Sequence, residues 1–562
     1  MPISQLRYLV WLCTLCTASF VSAQAVAPTG NPLSTLPPVQ PPRPLDNPEV
    51  ALPDTRNLQL SKRMQPQLAL STRIQANRID ISGVNAIPFE QVAAIFQPLS
   101  GNAVTIEQLA MGVQQATQLY QKAGYALSFV YLPDQSFDNG TVKIIAVEGH
   151  AQQVHVIGDT GKSAHLLAEM AAPILDSKPL NAEVFTKQTL LMARMLNLKV
   201  GAEIGLPSST DGATPLVLNV KREPYLFNIN GDFQEDRPKA IANLTLNDPL
   251  WGGSQWQFSA LLENPKKERF LSATLNQLLN AQGTTMRLGY TDFAGIDNFY
   301  SGQLEDLTKQ RRLELNVMHP IALSATGSTV IGATFFGLNY EKEYYFPDFE
   351  ASFTDQEKIR ALQAHLVWTK NTPQAQHNAS ATLTRGLDAL GAGSVQTVGL
   401  VPSQAKFDFT RLSMEYAFRW RFKNQVGVAF AAGGQYSPDI LPTPERISFG
   451  GWRFGRGYLG GEAAADQGLG MSAEVNRMFT FKDQRWIKTL EPYLLYEEAQ
   501  TWFNRENWKG MRLRSSSLGI RIGDQKYYAL DFSVSKPHGD KSYQNPKEKL
   551  RYNISLTYQL DL

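Results

Sequence analysis

The chain has 562 residues, with 53 Lys and Arg against 51 Asp and Glu and a formal charge of +2. At roughly 150 residues per domain that length predicts three or four domains, and the balanced charge excludes the single-signed field of a nucleic-acid partner. No uninterrupted apolar run of ~18 residues occurs, which excludes transmembrane helices.

At the N-terminus, Arg7 precedes an apolar stretch from Tyr8 to Phe20, followed by Val21, Ser22 and Ala23. A positive start, a short apolar middle and small residues before a cut read as a secretory signal peptide over residues 1–23. Lipidation at Cys16 is disfavoured because Leu15 stands where lipoprotein signals place a small residue. Both Cys13 and Cys16 lie in the removed segment, so the mature chain lacks cysteine for disulfides, thiolate metal sites or nucleophiles. Residues 24–76 form a linker: the nine prolines between 27 and 53 favour an extended chain with nothing to bury.

One pattern then appears twice, over residues 77–149 and 150–223. The first copy reads as a strand (Arg78–Ile81), a turn at Gly83 and a short helix (Pro88–Phe96). A longer helix follows, capped by Thr105 and ended at Gly124, and then two strands, Ala126–Leu132 and Thr141–Val147. In the second copy the order is Gln153–Ile157 (strand), Ser163–Ala172 and Ala182–Leu196 (helices), Lys199–Ile204 and Leu216–Lys221 (strands). The repeat predicts two tandem α+β domains.

Residues 24–223 carry 3 Tyr, 5 Phe and no Trp, whereas 224–562 carry 16 Tyr, 22 Phe and 8 Trp. Here the period switches to two. Leu412, Met414, Tyr416, Phe418, Trp420 and Phe422 alternate with Ser413, Glu415, Ala417, Arg419 and Arg421, and Tyr552–Leu562 and Tyr528–Ser535 repeat the pattern. Charged residues on one face of strands long enough to cross a bilayer, with Tyr and Trp near their ends, point to an all-β transmembrane barrel. About sixteen such segments fit residues 224–562, an even number that closure requires. The longest gap between strands, about Ser437 to Asp466, holds the most glycine-dense run, from Phe449 to Gly461.

Two motifs are set aside. Gly455, Gly457 and Gly460 spell a dinucleotide fingerprint, but no βαβ unit surrounds them. Gly158-Asp159-Thr160-Gly161-Lys162-Ser163 suggests a phosphate loop, yet Val156 stands at its first glycine, and a turn with Ser163 capping a helix accounts for it. The seven histidines are scattered without metal spacing, and no catalytic constellation or cofactor motif is found, so neither enzyme activity nor a cofactor is expected.

Signal peptide, Pro-rich linker, two strand-helix-helix-strand-strand domains and a barrel with Arg456-Gly457-Tyr458 between its eleventh and twelfth strands: this order resembles the two-partner secretion transporters (TpsB family, POTRA plus barrel). The resemblance implies an outer-membrane location, POTRA domains in the periplasm, and export of a large unfolded exoprotein of the adhesin, haemolysin or contact-dependent inhibition toxin type. It implies as partners that exoprotein, outer-membrane lipid and the barrel assembly machinery. It also implies a loop folded into the lumen, where an arginine matching Arg456 pairs with an acidic residue of the thirteenth strand. The family segment there is Phe-x-Asp-x-Gly, and Leu495-Tyr496-Glu497-Glu498-Ala499 departs at all three defined positions, with Glu497 at the acidic one. Gly455 also replaces the usual Val before the arginine. Glu474 on strand twelve is a second carboxylate facing the lumen. The alternative reading of Arg456 is a glycine turn at the barrel mouth.

Relatives plug the pore with an N-terminal helix, for which only Asp54–Met64 is available here. Substrate capture is assigned to open domain edges such as Ala126–Leu132, including Ala126, Leu127, Phe129 and Tyr131. The rival readings are a barrel-protein insertase, which usually carries three to five POTRA domains, and a passive porin, which leaves the two domains unexplained. The terminal Leu562 replaces the Phe common at barrel ends.

Overall fold

The structure is a computed structural model, and it describes Leu33, Leu36 and residues 69–137, 139–233, 238–264, 266–299, 304–396, 404–481, 483–506, 508–541 and 547–560. The signal peptide, nearly all of the linker, the Asp54–Met64 segment and Leu562 lie outside the described residues.

The first small domain comprises β1 (Arg73–Ala76), β2 (Arg78–Ser82), α1 (Phe89–Phe96), β3 (Asn102–Thr105), α2 (Ile106–Lys122), β4 (Phe129–Tyr131) and β5 (Thr141–Val147). The start of α2 is fixed by a capping box: Thr105 Oγ1 accepts from the Gln108 N–H at 3.2 Å, and Gln108 Oε1 accepts from the Thr105 N–H at 2.9 Å. Gly124, at φ +88°, follows its last turn. The two helices close on one another at Gly112, where a Cβ would lie 2.7 Å from the Phe96 ring. Their apolar faces cover the β2-β5-β4 sheet and bury Val92, Phe96, Leu109, Tyr120, Val142 and Ile144. The Tyr120 hydroxyl donates to Glu148 at 2.9 Å, and burial beside that carboxylate pushes its pKa up. The antiparallel pairing of β1 with β3, across β2 and α1, is not legible in the sequence. Its two strands are four residues each, too short to show a period.

The second domain repeats the plan with β6 (His150–Gly158), α3 (Ala164–Asp176), α4 (Ala182–Ala193), β7 (Leu198–Ile204) and β8 (Ala213–Arg222). Its sheet order, β6-β8-β7, matches β2-β5-β4, with a parallel pair at one side and an antiparallel pair at the other.

Sixteen long antiparallel strands follow, running from Tyr225–Asp232 to Arg551–Leu560, and the last pairs with the first from Ser555↔Asp232 to Leu560↔Phe227. This is the closed barrel that the alternating sequence calls for. Closure gives the backbone a partner at every strand, the condition for a strand-built wall in lipid. Side chains sort by parity: Leu244, Leu313, Met414, Leu494 and Leu518 face outward, whereas Asn243, Gln310, Thr384, Glu497 and Ser515 are buried on the inner side. The fifth to eighth strands (Thr285–Phe299, Leu304–Ser324, Gly327–Phe346, Ala351–Asn371) reach 15, 21, 20 and 21 residues. The longest three are about twice what a crossing needs.

The six-residue decoy at 158–163 is a docking element. Ser163 Oγ donates to Asp248 Oδ2 at 2.8 Å and accepts from the Gly253 N–H at 2.8 Å, in the turn between the second and third barrel strands (Lys239–Asn247 and Ser254–Leu261). Asn197 Nδ2 reaches both Asp248 (2.6 Å) and Ser163 (2.7 Å), and Lys162 Nζ donates to the carbonyls of Pro249 and Leu250. Gly252 is required here, since a Cβ would come within 2.2 Å of the Lys162 carbonyl oxygen. Leu278 and Ala281, at the next turn on the same side, join the domain's apolar core, and Arg194 donates to Ser328 beyond the one after. The barrel end carrying these turns is therefore the periplasmic one.

Candidate functional site

Between the eleventh strand (Val426–Tyr436) and the twelfth (Gln467–Arg477) the chain turns back into the barrel instead of arching over it. A short 3-10 turn at Thr443–Glu445 leads into an antiparallel pair, Ile447–Phe449 with Ala463–Ala465, whose tip contains Arg456-Gly457-Tyr458. Ile447, Phe449, Tyr458 and Ala463 form an apolar cluster with Ala499 and Leu513 of the wall. Glycine makes the space. On the wall a Cβ at Gly468 would stand 2.7 Å from Phe449, and one at Gly470 would stand 2.5 Å from Phe454. At the tip, a Cβ at Gly457 would meet the Pro537 backbone nitrogen at 2.8 Å.

Polar contacts hold the loop along its length. Glu357 accepts from the Thr443 N–H at 2.9 Å, Arg411 pairs with Glu445 at 2.7 Å, and Asp466 accepts from the Leu441 N–H at 2.9 Å. The hydroxyl of Tyr458, buried, accepts from the Gly539 N–H at 2.8 Å.

Arg456 and Glu497 do meet, but through the backbone: the Arg456 N–H donates to Glu497 Oε2 at 2.8 Å, and Ser515 Oγ donates to the same oxygen at 3.0 Å. This departs from the guanidinium–carboxylate pair expected from the family pattern. The Arg456 guanidinium instead donates to the Tyr493 hydroxyl at 2.5 Å, lies 3.7 Å from Asp531 and stacks 4.5 Å above the Trp452 ring. The Arg456 carbonyl accepts from Asn553 at 3.2 Å. Tyr493 occupies the inward position one turn of the pleat nearer the periplasm than Leu495, and its ring lies 5.5 Å from the Arg456 guanidinium.

Glu474 makes no hydrogen bond to Arg456 among the described residues. It receives a bidentate hydrogen bond from Arg521, at 2.8 and 2.5 Å, and a third from Asn476. Arg521 also donates to Glu491 at 2.7 Å and to Asp531 at 3.2 Å, while Arg421 holds the other Glu491 oxygen at 2.8 Å. Three carboxylates (Glu474, Glu491, Asp531) on strands twelve, thirteen and fifteen and three arginines (Arg421 on strand ten, Arg521 on strand fourteen and Arg456 from the loop) thus form one inward-facing network. Sequence reasoning named Arg456, Glu497 and Glu474 and missed Arg521, Asp531, Glu491 and Tyr493. All four sit at inward parity on their strands, a signal the alternation carried.

At the supposed capture edge, only Phe129 and Tyr131 belong to β4. Their rings are buried with Val147, and Leu127 is packed into the second domain's core. Ala126 precedes the strand. The outer side of β4 is closed locally, because Thr117 Oγ1 accepts from the Val130 N–H at 3.0 Å. A strand only three residues long leaves little edge to offer.

Two family descriptions match the chain: a ShlB-type POTRA domain over residues 74–149, and the haemolysin secretion/activation protein ShlB/FhaC/HecB over residues 308–522. The heme/hemopexin transporter protein HuxB of Haemophilus influenzae (strain 86-028NP) is 20% identical over 470 residues, covering 80% of each chain. The outer membrane transporter CdiB of Escherichia coli O6:K15:H31 (strain 536 / UPEC) is 22% identical over 400 residues, covering 68% of this chain and 65% of that one. The solved structure of CdiB from Escherichia coli superposes with a TM-score of 0.64 at 17% identity, over 87% of this chain and 91% of the other. With paired small domains, a sixteen-stranded barrel and an inturned eleventh-to-twelfth loop, the chain has the architecture of an outer-membrane two-partner secretion transporter and is similar to the ShlB/FhaC/HecB family over residues 308–522.

Proposed function

We propose that this protein conducts one large, unfolded exoprotein of adhesin, haemolysin or toxin type from the periplasm to the cell surface, with residues 1–23 removed on export, 24–76 as a linker, and 77–149 and 150–223 as periplasmic receiving domains. The observation that carries this reading is the lumen loop. It is held by side chains from much of the wall, and it lies in the path a substrate would take.

Capture is assigned to β6. Among the described residues this strand pairs on one side only, with β8, and it exposes Val156 and Ile157. An extended chain would add there by backbone pairing, which tolerates any sequence that must keep sliding. The names of the relatives point to an exoprotein that serves heme/hemopexin uptake as one option for the cargo.

The test is deletion of the gene followed by assay of the culture supernatant and the outer membrane. Loss of a single large exoprotein supports the transporter. Loss of many barrels from the membrane supports the insertase reading in its place.

A further inference from the structure

The outer wall of the barrel carries a depression at strands one to five. Its floor is made by Ala242, Ala260 and Ala273 and its sides by Phe227, Phe258 and Tyr290, enclosing about 450 Å³. The register explains the shape. One row of neighbours runs Phe227, Leu244, Phe258, Ala273, Tyr290, and the next runs Ala242, Ala260, Leu271, Asp292, Arg311. Large rings thus flank three methyl groups where most of the wall presents bulky side chains.

The second row changes from apolar to charged as it leaves the depression. Asp292 accepts from Arg269 at 2.7 Å and from Arg311 at 3.1 Å. Across Asn339, which neighbours Arg311, Arg360 bonds among the described residues only to neutral oxygens: Asn339 Oδ1 at 3.1 Å and the carbonyls of Leu338 and Ile359. The cluster holds three guanidinia and the Asp292 carboxylate, with Glu341 beside Arg311 taken up by Lys309 at 2.8 Å, so cations outnumber carboxylates by four to two and neither Arg269 nor Arg311 has its donors exhausted by Asp292. Height fixes its leaflet. Arg269 stands one residue inside the fourth strand (Glu268–Leu278), just after the turn that ends at Lys267 and at the barrel end opposite the docked domain.

We propose that this face binds a phosphorylated glycolipid of the outer leaflet, a lipid A-type molecule. An acyl chain would lie in the alanine-floored depression, and a phosphate would sit on Arg269 and Arg311, with Arg360 adding unneutralised charge. Guanidinium forks match phosphate oxygens, and the neighbouring apolar wall fixes the chain direction. Asp292 holds the two forks apart and aims them at the headgroup layer. The site lies on the opposite side of the wall from the lumen loop and does not depend on the transport reading.

The experiment uses the full chain purified in detergent, stripped of lipid and reconstituted separately with bis-phosphorylated lipid A, dephosphorylated lipid A, or phosphatidylglycerol. Lipid retained after gel filtration is read by mass spectrometry. The wild type is expected to retain bis-phosphorylated lipid A over both others. The R269A/R311A double variant is expected to lose about tenfold or more of that retention, since each lost charge-assisted bond is worth at least that factor. Ala260→Trp, which fills the depression and keeps every charge, is expected to lower retention as well. A folded barrel in each variant is verified by its gel mobility before and after heating. Equal retention of the three lipids by the wild type overturns the proposal, as does undiminished lipid A retention by both folded variants. Preference for phosphatidylglycerol overturns the assignment to an outer-leaflet glycolipid.

Discussion

Arg456 has two kinds of hold on the wall, and they separate by substitution. Its guanidinium reaches Tyr493 and Asp531, whereas its amide reaches Glu497. Arg456→Ala removes the first and keeps the second. Breaking a buried ion pair costs about 3–5 kcal/mol, and water in the lumen lowers that figure. Export into the medium is therefore expected to fall with barrel insertion unchanged, and Arg456→Lys is expected to fall less; wild-type secretion from the alanine variant contradicts the lock. Glu497→Gln keeps an oxygen acceptor for the Arg456 N–H and the Ser515 hydroxyl, so it is expected to export more than Glu497→Ala, where two buried donors lose their partner at about 1–3 kcal/mol. Asp531→Ala is expected to resemble Arg456→Ala, and a double-mutant cycle on the secreted amount reads the coupling between them. The carboxylate at 497 came from the resemblance to the family segment, with strand parity only consistent with it. Its contact with a backbone amide rather than a side chain was not legible, because that depends on how deeply the tip descends, a quantity set by Gly457, Gly468 and Gly470 together.

At the level of elements, the inturned loop and the docked turn are each built on missing side chains. Gly470→Val places branched atoms where Phe454 lies, and overpacking of this order costs about 1–3 kcal/mol. The loop is expected to rise from the wall, and conductance in a planar bilayer is expected to increase; an unchanged conductance would mean that another path fills the pore. At the docking turn, Asp248 has φ +52° and receives Ser163 and Asn197. Asn tolerates that backbone conformation and retains an acceptor oxygen, so Asp248→Asn is expected to be mild. Asp248→Ala leaves the two donors unmatched, at about 1–3 kcal/mol, and is expected to speed protease cleavage between β8 and the barrel. The helices of the small domains and the Thr105 cap followed directly from sequence, Thr105 and Gln108 forming a capping box, whereas Ser163, expected to cap the next helix, makes no side-chain cap because its hydroxyl turns to Asp248. The docking role of residues 158–163 was hidden, since its partners lie some 90 residues on. β4 was over-read, because an apolar run from Ala126 to Leu132 looks the same whether it lengthens a strand or joins two cores.

On the scale of the whole molecule, the barrel itself was the most legible feature. Alternation is local, and sixteen repetitions of it admit few alternatives once closure is required. The same parity makes a prediction about surroundings: lipid-restricted photolabels are expected to modify Met414, Tyr416, Leu518 and Tyr552 and to spare Ser535 and Asn553, which are buried on the inner side. Labelling of the second set would break the inside–outside assignment. What alternation could not disclose is where the periplasmic domains rest. The second domain touches the turns after strands two, four and six, all on one side of the rim. The entrance is accordingly lopsided: one half is hooded by a rigidly seated module, and the other half, below strands ten to sixteen, has no such awning among the described contacts. A polypeptide arriving from below is steered toward that bare half, and past the rim there it meets the wall charges around Arg521.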